Sequence, residues 1–230
     1  MAAMPQRVKA MEETIPTIIH QCDKLNIYLN LWGKIPSFLC HPRINLYRSQ
    51  DHLGDLGDVG KFYKCDSWKG YIFTVDDKIV YPPDYAKKMI ESIEKYKRRA
   101  VISCHGRIFF DNRPCRSYYF DVKAPYYCVH SLHKDTFVHE LGTGVMAFHS
   151  DLIKPSLQMF PTMNMTDIWF SVELQKRKIP ILCRAHKKGW IKVSLKHDDN
   201  YSIHMMCNTR DKYQTSIINK NKWIINKVKI

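Results

Sequence analysis

At 230 residues, with 45% hydrophobic and 12% aromatic residues, the chain has room for one large domain and enough apolar material for a core, which excludes bulk disorder. No run approaches the roughly 18 apolar residues of a membrane span and no signal-peptide h-region opens the chain, so the expectation is a soluble, cytoplasmic protein. A net charge of +14, from 36 Lys plus Arg against 22 Asp plus Glu, favours anionic partners: nucleotide phosphates, nucleic acid or an anionic membrane face.

Residues Arg7 to Gln21 predict a helix, with Val8, Met11, Ile15 and Ile18 at three- and four-residue steps, and Pro16 is expected to kink it or end its first part. Leu25 to Asn30 and Ile44 to Arg48 read as strands, separated by a loop that Gly33, Pro36 and Pro42 mark. The Gly/Asp turn Leu53 to Asp58 opens a short helix, Val59 to Lys64. It leads to Tyr71–Val75, a β-branched and aromatic run of the kind a buried strand needs, with Asp76 and Asp77 at its carboxyl end. Pro82 to Arg98 then predicts an amphipathic helix with proline at its start, and Ala100 to Cys104 a buried strand.

This alternation of strand and helix predicts an α/β domain with a mostly parallel sheet covered on both faces. Arg107 to Val138 lacks a clear period and reads as irregular strands and loops. Val145 to His149 is a short strand after Gly142-Thr143-Gly144, Asp167 to Lys178 a helix, and Ile179 to Arg184 a last strand that ends near His186. The expected organisation is one domain over residues 1–200, with a nucleotide-binding half (1–105) and an acceptor half (106–200), followed by a basic tail (201–230). Ile217-Ile218 and Trp223-Ile224-Ile225 would permit an amphipathic helix in that tail, and a peripheral contact with an anionic membrane. Eight cysteines, Cys22, Cys40, Cys65, Cys104, Cys115, Cys128, Cys183 and Cys207, form no CxxC pair and no regular spacing, which suits reduced, mostly buried thiols.

Three places could carry chemistry. Asp76-Asp77 stands at a strand terminus, where loops of an open α/β sheet converge on ligands, and a hard cation such as Mg²⁺ or Mn²⁺ takes one or two carboxylates together with substrate phosphates. The same pair also suits an ordinary acidic turn. Asp167 begins a helix, a position equally fit for capping and for removing a proton from a hydroxyl. His186 ends a strand, either as a metal ligand or as a partly exposed polar residue. Gly142 and Gly144 would let backbone approach a ligand, or simply make a turn. Nucleic-acid binding has no aromatic-basic motif to support it, so no nucleic-acid partner is expected.

In register, the segments AAMPQR, DKLNIYLN, YRSQDHLGDLGDVGKFY, GYIFTVDDKIVYPPDY, AVISCHGRIF, HELGTGVMAFH, MTDIWFSVELQKRKIPILCRAH and KKGW resemble GT-A-fold glycosyltransferases, family 2-like, over Ala3 to Trp190. They are similar to the compact sugar-transfer domain of bacterial polysaccharide-building proteins and of multidomain enzymes from large DNA viruses. The resemblance implies a single GT-A, Rossmann-like domain with a mostly parallel mixed central sheet flanked by helices on both faces. It implies a nucleoside-diphosphate sugar donor, UDP-linked by expectation, and a glycan acceptor. Met4, Pro5 and Arg7 would contact the nucleobase side, and Asp55, Asp58 and Lys61 the base or phosphates. Asp76 and Asp77 fall in the DxD-type motif, which would bind ribose and, through Mn²⁺ or Mg²⁺, the diphosphate, with His186 as a third metal or diphosphate contact. Gly142, Thr143 and Gly144 would wall the sugar site, and Asp167 would be the base of an inverting transfer.

Two departures stand out. Lys78 replaces the third acid of the relatives' Asp-Asp-Asp, which predicts weakened metal dependence, with the ammonium standing in for the cation or the copy being inactive. The first strand is also short, since the chain reads Met1-Ala2-Ala3-Met4 where relatives carry a full strand, which points to truncation or to compensating contacts. The alternative function is therefore a catalytically impaired nucleotide-sugar or glycan-binding module.

Overall fold

The computed structural model describes residues 1–196 and 211–228; residues 197–210, which include Cys207 and the start of the predicted tail, and residues 229–230 lie outside the described residues. Two strands rich in leucine and isoleucine, β2 (Leu25–Leu29) and β3 (Ile44–Arg48), pair in parallel with Ile27 opposite Leu46. A short β1 (Ala2–Ala3) pairs in parallel with the other side of β2. Between β1 and β2 runs α1 (Val8–Ile18), which buries Ala10, Met11, Thr14, Ile15 and Ile18 on one face. Pro16 lies inside α1 on its exposed side, and the helix tightens to a 3₁₀ turn at Ile19–Gln21.

The chain continues through β4 (Tyr71–Val75), β5 (Ile79–Val80), α2 (Tyr85–Lys95), β6 (Val101–Ser103) and β7 (Gly106–Ile108). Next come β8 (Ala124–Tyr126), β9 (Thr136–Phe137), β10 (Glu140–Leu141), β11 (Val145–His149), α3 (Thr166–Lys176), β12 (Ile181–Cys183), β13 (Lys192–Val193) and α4 (Lys212–Lys220). Between β3 and β4 a 3₁₀ helix, Gly57–Phe62, takes the place of the predicted helix Val59 to Lys64.

The expected single GT-A, Rossmann-like domain with one mostly parallel central sheet is not what the chain forms. Among the described residues the strands make four small sheets, ordered β1-β2-β3, β10-β7-β8, β4-β11-β6-β12-β9 and β13-β5. In the largest, β11 lies between β4 and β6 and runs antiparallel to both, and only β6 and β12 pair in parallel. The reason is positional. Strand–helix–strand alternation predicted a mostly parallel sheet, but β11, which comes later in the chain and is buried at every position, lies antiparallel between β4 and β6.

Along β6, β11 and β12 the side chains alternate between two apolar clusters, as a pleated strand requires. Ile102, Ala147 and Leu182 face one cluster together with Tyr85, Met89 and Ile93 of α2. Val101, Met146, Phe148 and Ile181 face the other, together with Phe170 and Leu174 of α3. In the predicted tail, Ile217 and Ile218 of α4 are buried against Phe109, Tyr118, Ile168 and Val172, and the Trp223 ring lies 4.9 Å from that of Phe109. No helix among the described residues is long and apolar enough to cross a membrane. The seven cysteines among the described residues are free.

Ile102 is fully buried between β11 and β12. Ile102→Ala should therefore cost about 2–5 kcal/mol, observed as a lower urea midpoint with an unchanged denaturant slope.

Candidate active site

Strand β4 delivers the chain to Asp76 and Asp77, and the turn through Lys78 sends it back into β5. The turn is pinned by a buried tyrosine. The Asp76 amide donates to the Tyr81 hydroxyl (2.8 Å), which in turn donates to the Gly144 carbonyl (2.6 Å). Loop 142–144 is thereby held against the acidic pair so closely that a Cβ on Gly144 would collide with the Asp76 carboxylate. Glycine is required there by the approach of the carboxylate, not by its backbone angles.

Lys61, buried in the 3₁₀ helix, extends its ammonium to Asp76 Oδ1 (2.6 Å) and to Thr143 Oγ1 (3.3 Å). Thr143 then donates twice to Asp167 Oδ1, from its hydroxyl (2.5 Å) and its amide (2.7 Å). The result is a continuous chain, Asp76–Lys61–Thr143–Asp167. It anchors one oxygen of Asp167 and leaves the other without a bond to any described residue. On the opposite side Arg7 Nη1 pairs with Asp77 Oδ1 at 2.9 Å. The Lys78 side chain makes no hydrogen bond or ion pair with a described residue.

Burial alone would raise the Asp76 carboxyl, but the charge and hydrogen bond of Lys61, aided by Lys78 and Arg7, outweigh it and hold the group at about 2. Asp77 goes the other way, raised by burial that Arg7 only partly offsets. Burial would lower the Lys61 ammonium, but Asp76, Asp58 and Asp167 together raise it, so it stays charged.

Asp58 acts as a clamp between distant segments. Its carboxylate accepts the Asn164 amide (2.6 Å), the Thr166 amide (3.0 Å) and the Thr166 hydroxyl (2.5 Å), and so fixes the start of α3 from which Asp167 projects. Burial raises its carboxyl despite the field of Lys61. Asp55 accepts the Gly57 amide at 2.9 Å and shapes the turn before the 3₁₀ helix. Gly57 has φ +52°, and a Cβ there would meet Asn164 at 2.5 Å.

The predicted site residues converge on one cavity of about 710 Å³, a size suited to a small-molecule ligand. Met4 and Arg7 line it beside Asp55, Asp58 and Lys61. So do Asp76, Asp77 and Lys78, loop 142–144 and Asp167. Pro5 opens the 3₁₀ turn that leads to Arg7 and is not part of the lining. His186 is not there either. It borders a separate hollow of about 540 Å³ with Arg184, Lys187 and Trp190, and its Nδ1 lies 2.7 Å from the Arg184 carbonyl.

The three residues that would hold a divalent cation are therefore not brought together. Asp76 and Asp77 are each matched by a basic side chain, and no cluster of three or more His, Cys, Asp or Glu side chains among the described residues could hold a metal. Asp76 and Asp77 are left as the two carboxylates that could hold a Mn²⁺ or Mg²⁺ ion together with substrate phosphates, in exchange for Lys61 and Arg7. No protein-family model and no curated protein matches the chain.

Several residues of the site went unnoticed in the sequence. Tyr81, a core residue behind the cavity whose hydroxyl ties Asp76 to loop 142–144, carries no spacing signal. Arg107, Tyr118, Tyr119 and Tyr127 come from the stretch without clear period and, with His105 just before it, line the same cavity as Asp167. Burial, reinforced by the charge of Arg107, pushes the His105 imidazole down. Only the density of aromatics between residues 109 and 127 could have drawn attention to this wall.

Lys61→Met would leave the Asp76 carboxylate without its partner and should destabilise the fold by roughly 3–5 kcal/mol. Because Asp76 is held at about 2, below its ordinary 3.8, the stability it contributes is present above about pH 4 and is lost as pH falls toward 2. The gap between wild type and Lys61→Met in urea unfolding should accordingly be full near neutral pH and close as the solution is acidified.

Proposed function

We propose that the cavity binds a nucleoside-diphosphate sugar and transfers its sugar to a hydroxyl of a glycan acceptor. The observation that carries this reading is the chain Asp76–Lys61–Thr143–Asp167, which links an ion-paired acidic turn to an anchored carboxylate within one cavity. The similarity of the DxD-type segment and its neighbours to sugar transferases supports the same reading. Lys61 and Arg7 balance the acidic pair, and Lys78 beside them adds one positive charge that a diphosphate could meet.

In the transfer, Asp167 takes the proton of the acceptor hydroxyl through its unanchored oxygen. The acceptor oxygen bonds to the anomeric carbon as the bond from that carbon to the phosphate oxygen breaks, and the electron pair leaves with the diphosphate. Direct displacement inverts the anomeric centre. Thr143 holds the carboxylate in place through the reaction, and Lys61 and Lys78 meet the charge that grows on the leaving group.

The test is product formation from a panel of UDP-, GDP- and TDP-sugars with mixed glycan acceptors. Asp167→Ala should lower kcat by about 10²- to 10⁴-fold while nucleotide-sugar binding persists. Specific binding with no product from the wild-type protein would instead identify a binding module. A second measurement addresses charge neutralisation. Activity should survive chelation, and Lys78→Asp, which removes the ammonium and adds a third acid, should make it depend on added Mn²⁺. Wild-type activity that vanished on chelation and returned fully with Mn²⁺ would refute this account of the cations.

A further inference from the structure

The cavity has a second wall, built by another sheet, which the transfer described above does not use. Arg107 on β7 and Glu140 on β10 stand directly opposite each other in antiparallel register. Glu140 is 1% exposed, and its Oε1 accepts the Tyr118 hydroxyl at 2.6 Å. Its Oε2 has no hydrogen-bond partner and lies 3.7 Å from Arg107 Nη1, beyond hydrogen-bond reach.

The guanidinium is nonetheless held firmly. Nη1 donates to the Tyr118 carbonyl (3.2 Å), and the group lies over two aromatic rings, 4.3 Å from the Tyr118 centroid and 5.7 Å from that of Tyr119. Arg107, Tyr118, Tyr119 and Tyr127 line the cavity together with Asp167. Burial pushes the Glu140 carboxyl up to about 7, against the opposing effect of Arg107, so near neutral pH this acid only partly balances the arginine. A fixed guanidinium on an aromatic wall, with Glu140 at ion-pair distance but no carboxylate of a described residue in direct hydrogen-bond contact, can take an anion from outside. Tyr127, 41% exposed on the same wall, offers a ring to the apolar face of a sugar, while Tyr118 and Tyr119 underlie the guanidinium.

We propose that the wall formed by Arg107, Tyr118, Tyr119 and Tyr127 receives an acidic sugar of the acceptor, with Arg107 pairing with its carboxylate or phosphate. This rests on the transferase reading above, since it places the acceptor on the side of Asp167 that these residues line. Arg107 is a specificity residue in this scheme, and Glu140 positions Tyr118 beneath it.

The experiment is calorimetric titration of the protein, first with UDP-, GDP- and TDP-sugars and then, with the bound nucleotide present, with three oligosaccharides. One ends in glucuronic acid, one in its carboxyl-reduced neutral counterpart, and one in a 6-phosphorylated hexose. The acidic pair should bind about tenfold or more tighter than the neutral one, and whichever acid binds tighter identifies the anion. Arg107→Gln should abolish that difference without changing nucleotide affinity, and Arg107→Lys, which keeps the charge on a smaller change of shape, should retain part of it. A protein that binds a nucleotide sugar but shows no acid preference, or an Arg107→Gln variant that keeps the full preference, overturns this proposal alone. Failure of every nucleotide sugar to bind overturns the transferase reading, and this proposal with it.

Discussion

A buried ammonium governs the centre of this protein. Lys61 is 6% exposed, and a charge so deeply placed is tolerated only when it is paired and hydrogen-bonded. Asp76 and Thr143 supply those partners. The requirement binds the 3₁₀ helix 57–62, which pairs with no strand, to the end of β4 and the loop before β11, two segments already joined by the β4–β11 pairing. That helix packs against β1, β2 and β4, so the same lysine also joins the small parallel sheet to the larger mixed one. Gly60 lets it settle on the Tyr28 ring, where a Cβ would come within 2.8 Å of the ring carbons.

From this arrangement the site acquires two characters. Around Asp76 and Asp77 the acids are balanced by Lys61 and Arg7, and Lys78 adds a further positive charge. Around Asp167 the order is reversed, with one oxygen of the carboxylate held by neutral donors from Thr143 and the other bonded to no described residue. Thr143 touches both regions. Its position between Gly142 and Gly144 matters because a Cβ on Gly142 would press on the His105 side chain and one on Gly144 on the Asp76 carboxylate.

Much of the site could be read from residue types. The Asp76-Asp77 pair at a strand end, the loop Gly142-Thr143-Gly144 and Asp167 in the first turn of α3 line one cavity. What the residue types left open was their pairing. Asp58, expected at the donor, is engaged as the clamp of α3, while His186, expected beside the acids, lies in another hollow. The aromatic wall around Arg107 was invisible because its residues come from short strands and loops, and periodicity has no purchase there.

The local elements were set by sequence. Tyr71–Val75 and Val145–His149 form the expected strands residue for residue, and α3 falls within a residue or two of its predicted ends. Such features depend on side-chain shape and on apolar spacing within a few residues. The partners of the strands were decided only by the tertiary structure. β11 enters between β4 and β6 in the antiparallel sense and turns an expected parallel sheet into a mixed one, split from the β1-β2-β3 sheet. A buried strand has two hydrogen-bonding edges, and its own residues do not say which distant segments will occupy them. The same holds for Lys61: its sequence neighbours gave no sign that it would be the cation beneath Asp76, because that role depends on bringing residues 61, 76 and 143 to one point.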